Sequence, residues 1–312
     1  MWSKVLFPPF LAVVAAAAPL SAPAAEARKS WRGPIIDAHS QVDHLVNLER
    51  IVPLMDRAGV ARIILSARGH LKHWRIDAFA AEHRDRIVAA LRTKGRVYAD
   101  NHPNYYKLLR AQEHLPQFAA MAEIILWHAA KGNVAPKWVI PASSPQVRAA
   151  LDIAFQRGWP VVLHYEFAAA GGAKEGLMRE LEGLLRTHSR HPFALTHMGQ
   201  LDLADTRRLI EAHPNIHFIP SWSNSITAGI SSQPWVNLFD GRHLKPDWKA
   251  LITAHPKRFV LGFDNVFAQH WGDQYVAQVE LWREALADLP DAVAHAVAHR
   301  NAEKLWDIDA LK

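Results

Sequence analysis

The sequence predicts a single (β/α)8 barrel, and three observations carry that prediction. Short apolar runs are nearly continuous instead of alternating, as strands are when both faces of a parallel sheet are covered. Longer amphipathic stretches separate them, and eight such units share about 285 residues, or about 36 each, a comfortable strand-plus-helix repeat. No glycine-rich phosphate loop follows the first apolar run, which favours a closed barrel over an open doubly wound sheet.

Taken in order, residues 1–27 read as an address and 28–312 as the barrel. Lys4 precedes an apolar stretch from Val5 to Leu20, interrupted by Pro8 and Pro9 and followed by small residues up to Ala27. It is shorter than the roughly 20 residues a spanning helix needs, so a cleavable signal, export to the periplasm and no stable membrane insertion are expected. The candidate strands are 35–38, 61–66, 87–91, 121–127, 160–164, 193–197, 216–220 and 259–262. Helical patterns between them include Gln146–Arg157, closed by Gly158, and Leu203–His213, closed by Pro214. His191, His213 and His255 each precede a proline between a helix end and the next strand. There they complement the helix dipole and belong on the face away from chemistry.

Composition removes several classes of function. The 312 residues are 50% hydrophobic and 21% charged, which is globular, and a net charge of +6 without any block of like charges gives nucleic acid little to hold. Cysteine is absent, excluding disulfide scaffolds, thiolate metal sites and cysteine nucleophiles together. Nineteen histidines point instead to imidazole chemistry.

In a (β/α)8 barrel the carboxyl ends of the strands face the active site. The first apolar run ends in Asp37-Ala38-His39-Ser40-Gln41; the fourth carries Glu123; the fifth, sixth and eighth end at His164, His197 and Asp264. Three histidines and an aspartate at four strand ends meet at one point if the barrel closes. Such nitrogen and oxygen donors suit one divalent ion, zinc first, with manganese or iron as alternatives. Arg68, Arg92, Lys94, His128 and Lys131 follow strand ends and suit a carboxylate-bearing small molecule. Trp127, Tyr165, Phe167, Trp222 and Phe267 are candidate aromatic walls for a flat substrate. Two further histidine pairs, His70/His73 and His295/His299, lack a third ligand in sequence.

The stretches IIDAHSQVD, VVLHYEF, FALTHMGQ, RFVLGFDN and NAEKLWDI resemble, in order and spacing, the amidohydrolase-2 branch of the amidohydrolase superfamily of metal-dependent barrels. The resemblance implies that His39 and His164 are metal ligands and that His197 is a ligand or a catalytic histidine. It further implies that Asp264 both binds metal and handles the proton of the attacking water, with Glu123 a candidate ligand. It implies hydrolysis of an ester, lactone or amide, or decarboxylation in the same site, and a homodimer is in keeping with the family. One departure stands out: the first motif is normally His-x-His, and here it reads His39-Ser40-Gln41. Three roles are open to Gln41: a weak metal ligand, a substrate contact, or the mark of a barrel that binds without catalysing.

Overall fold

The computed structural model describes residues 29–132 and 135–311, so the expected signal segment 1–27 lies outside the described residues. Strands β1 (Ile35–Val42), β2 (Val60–Ala67), β3 (Ile87–Leu91) and β4 (Phe118–Met121) pair in parallel in that order. A second parallel set runs β8 (Ile216–Ile219), β7 (Phe193–Thr196), β6 (Val161–His164) and β5 (Ile124–Ile125). The expected fourth strand is thus two short pieces, β4 paired with β3 and β5 paired with β6, and Glu123 sits in the break between them.

The expected eighth strand is not a regular strand either, yet its backbone closes the ring. Phe259 bridges to Phe218, and the Val260 N–H donates to the Phe218 carbonyl (2.9 Å). On the other side Ala38 donates to Leu261 (3.0 Å), Asp264 to His39 (2.7 Å) and Gln41 to Asn265 (2.7 Å). Gly262 is the residue that permits this approach. A Cβ there would stand 2.8 Å from Ile219 Cγ2 and 3.2 Å from the His39 backbone nitrogen. Gly262→Ala is therefore expected to cost about 1–3 kcal/mol by overpacking. The check is denaturant unfolding, and an unchanged midpoint would mean that β1 yields freely at this seam.

Helices α1 (Ile51–Ala58), α2 (His73–Glu82), α3 (Pro103–Glu113), α4 (Pro145–Arg157), α5 (Lys174–Thr187), α6 (Leu203–Ala212), α7 (Pro246–Ala254) and α8 (Asp273–Ala287) cover the ring. Their ends follow local chemistry: α4 opens with proline and stops at Gly158 (φ 70°), while the Asp202 side chain caps α6 by accepting from the Asp205 N–H (2.9 Å). His213 and His255 terminate α6 and α7 as expected. Among the described residues, no helix is long and apolar enough to cross a membrane.

Apolar packing falls into two layers. The larger joins the outer strand faces to the helices. The smaller fills the barrel interior with Ile36, Ala38, Ile64, Val88, Ala90, Ala120, Ala122, Val162, Ala194, Ile219 and Val260, and takes Trp306 from the C-terminal segment. Five of these interior residues are alanines, so the apolar filling is thin.

Candidate active site

Strand parity explains most of what reaches the interior. On β6, Val162 packs inside the barrel, so His164 and Glu166, two and four residues on, point the same way. On β1 a register shift between Asp37 and Ser40 adds one residue, so Ala38 and then His39 and Gln41 all turn inward. Bulges of this kind re-aim side chains beside active sites. Asp37 holds the distorted stretch: its carboxylate accepts from the Ser40 hydroxyl (2.6 Å), the Phe263 N–H (3.0 Å) and the Tyr275 hydroxyl (3.2 Å). His197, Trp222 and Asp264 have left-handed backbone, with φ of 56°, 59° and 47°. Such strain is kept where neighbouring structure enforces it, commonly at functional sites.

The residues expected as ligands do come together. Asp264 Oδ1 lies 3.3 Å from His39 Nε2, and Asp264 Oδ2 lies 3.5 Å from His197 Nε2. Glu123 Oε2 is 2.7 Å from His164 Nδ1 and 3.8 Å from His39 Nε2, while Glu123 Oε1 is paired with Lys94. Two overlapping groups, His39/Glu123/Asp264 and Glu123/His164/His197, place all their ligand atoms within 4.8 Å of one another. The donors fit a divalent ion. His39 Nε2 is buried without a hydrogen bond, and the three carboxylates Glu123, Asp264 and Glu166 face the ammonium groups of Lys94 and Lys131 and the imidazoles of His39 and His164, whose protons a metal would displace.

Burial opposes charge on all these groups, and pairing decides each case. For His39, burial is outweighed by the Asp264 and Glu123 carboxylates, which lift the imidazole to about 9. His164 is likewise raised, against burial, by Glu123 and Glu166. Glu123 and Asp264 stay below the usual carboxylate range despite burial, Glu123 through Lys94 and His164, Asp264 through His39. Burial prevails for His197, whose imidazole falls to about 4 and is neutral at pH 7.

Gln41 joins the two carboxylates of the site. Its Nε2 donates to Asp264 Oδ1 (2.7 Å) and to Glu123 Oε1 (3.0 Å), tying the two carboxylates together. Carboxylates demand donors, so the amide nitrogen and not the oxygen faces them.

Above these groups opens a cavity of about 690 Å3. Arg68, Arg92, Lys94, His128 and Trp222 line it, as does Phe267. The arginines serve the loops as well. Arg92 donates to the carbonyls of Lys94 (3.0 Å) and Gly69 (2.8 Å); Arg68 donates to Asp43 (3.2 Å) and lies 4.6 Å over the Phe267 ring. Trp127, Tyr165 and Phe167 are corrections, because none of them lines this cavity. Tyr165 has the opposite parity to His164 and sends its hydroxyl to Glu180 on α5 (2.7 Å), with Phe167 stacked on it. Trp127 packs in the outer core, in a small hairpin with Val139. Sequence reasoning missed Glu166, Ser221 and Trp235. Ser221 Oγ lies 3.0 Å from His197 Nδ1, and the Trp235 ring is 5.0 Å from that of His197. His70 packs on His44, and His295 and His299 pair with each other and with Glu303, apart from the cavity.

None of the curated proteins matches this chain. Among solved structures, it is similar to an amidohydrolase from Burkholderia multivorans with bound zinc (12% identity, 89% of this chain and 100% of that one, TM-score 0.53). It is also similar to 2,6-dihydroxybenzoate decarboxylase from Rhizobium (15%, 89% and 99%, 0.53). A third is a probable 2-pyrone-4,6-dicarboxylic acid hydrolase from Acinetobacter baumannii with citric acid bound (12%, 88% and 99%, 0.51). These likenesses show the barrel fold. The family model described as Amidohydrolase (Amidohydro_2) matches residues 36–308, and the chain belongs to that amidohydrolase family.

Proposed function

We propose that the chain is an exported, metal-dependent hydrolase of a small carboxylate-bearing ester, lactone or amide. The observation that carries this reading is Asp264, a buried carboxylate between His39 and His197 at one end of an open cavity. His39, Glu123 and Asp264 would hold the ion, with His164 against Glu123. A divalent ion supplies water ionisable near pH 7. Asp264, kept ionised, accepts the proton of the attacking water and returns it to the leaving group. We assign the His197 proton to Nε2, with Nδ1 accepting from the Ser221 hydroxyl, so that the ring donates to the carbonyl oxygen as charge develops. Export rests on the composition of residues 1–27.

The test is elemental analysis of the purified protein together with turnover of carboxylated lactones and esters. One zinc, manganese or iron per chain with hydrolysis supports the reading. Carbon dioxide released from aromatic acids without hydrolysis would replace it with decarboxylation, a lyase reaction in the same cavity. Because His39 holds a proton up to about pH 9 until a metal displaces it, apparent zinc affinity is expected to rise with pH. The slope is about tenfold per unit from pH 7 to 9 for each displaced proton, flattening above. Competition with a chromophoric chelator measures it, and a flat profile would remove His39 from the ligands.

A further inference from the structure

A second cluster beside the site has the donors of a metal position with an amine in place of the metal. His128, His164 and Glu166 are buried and bring their ligand atoms within 4.8 Å of one another. At their apex stands Lys131 Nζ, 2.7 Å from His128 Nε2 and paired with Glu166 Oε1. The donors are fixed from behind. The Ala129 N–H holds Glu166 Oε2 (2.6 Å), and the Pro136 carbonyl accepts from His128 Nδ1 (3.1 Å), which leaves the Nε2 lone pair aimed at the ammonium. His164 Nε2 lies 3.1 Å from Glu166 Oε1, while its Nδ1 lies against Glu123, so the cluster shares an edge with the site already described.

We propose that Lys131 is a tethered cation filling a second metal position, so that the chain takes one divalent ion where its donors are arranged for two. Glu166 is fully buried, and a carboxylate there requires a positive partner. The ammonium meets that need without depending on metal supply. It also lies 5.3 Å over the Trp235 ring at the cavity wall, where its charge faces an anionic substrate group as a second ion would. Lys131 reaches in from the hairpin that follows β5 and is a quarter exposed, so its removal leaves the barrel framework in place.

The inference rests on the metal reading for the first position only. Zinc content after saturation and removal of free ion is measured on the full chain, on Lys131→Met, on Lys131→Gln, and on Lys131→Met combined with Glu166→Gln. One, two, two and one ion per chain are expected, with a larger zinc-induced rise in melting temperature for the single variants than for the unaltered protein. One ion in all four, or two in the unaltered chain, overturns the inference and leaves the proposed function standing. No ion in the unaltered chain but one in Lys131→Met supports Lys131 as the occupant of the second position, overturns the one-ion count and removes metal from the proposed function. No ion anywhere overturns both. A Lys131 variant that recovers its circular dichroism only with zinc counts in favour, and one that stays unfolded with zinc counts against.

Discussion

Asp264→Asn is expected to fold and to lose about 10³-fold or more of turnover, the range associated with removing a catalytic base that also organises charge in the transition state. The expectation that it folds has a structural reason. Asp264 sits at φ 47°, and asparagine is the other side chain that tolerates left-handed backbone. Its N–H bond to the His39 carbonyl is unaffected by the change. What disappears is the negative charge facing His39 Nε2 and His197 Nε2. The amide can neither accept the water proton nor hold the His39 imidazolium, so the pH dependence of metal uptake becomes shallower as well. Steady-state turnover and a thermal melt on the same sample decide the matter. Retained activity with a normal melt would sink the role of Asp264 and with it the hydrolytic reading.

Most of the fold was legible because a barrel strand covered on both faces has to be apolar, and such runs are conspicuous in sequence. The exceptions have local causes. Residues 259–262 were expected as a strand, yet the chain there makes its bonds singly to β8 and β1 around Gly262. The fourth strand breaks at Glu123, where a buried carboxylate must meet Lys94 and His164 and cannot keep the pleat.

The site was legible in part for the same reason. His39, Glu123, His164, His197 and Asp264 stand at strand ends, and closure brings them together. Reading parity one step further would have found Glu166, which continues the Val162–His164 alternation, and would have turned Tyr165 away from the cavity. No sequence signal announces the β1 bulge that sends both Ala38 and His39 inward. Ser221 and Trp235 lie in the long connection after β8, where neither period two nor period 3.6 operates.

Gln41→Leu is expected to cost the metal-free protein about 3–6 kcal/mol, on the scale of roughly 1.5–3 kcal/mol for each of its two hydrogen bonds to a charged group. Gln41 is fully buried, as nearly are both carboxylates it serves, so solvent does little to soften the loss. Leucine fills the space but removes the amide donor that Glu123 Oε1 and Asp264 Oδ1 share, leaving the His39 imidazolium as the group that faces both carboxylates. Zinc should then recover more stability in this variant than in the unaltered protein, because the ion supplies the positive charge the amide had partly replaced. Gln41→His takes the opposite direction. It restores the His-x-His spacing, and a second imidazole is a better zinc donor than an amide, so affinity is expected to rise at least about tenfold, or about 1.4 kcal/mol. Denaturant unfolding with and without zinc measures the first effect and chelator competition the second. If Gln41→Leu without metal is as stable as the unaltered chain, the amide is not the tether between the carboxylates. If Gln41→His binds zinc no more tightly, position 41 lies outside the reach of the ion, and the metal is held by His39, Glu123 and Asp264 without it.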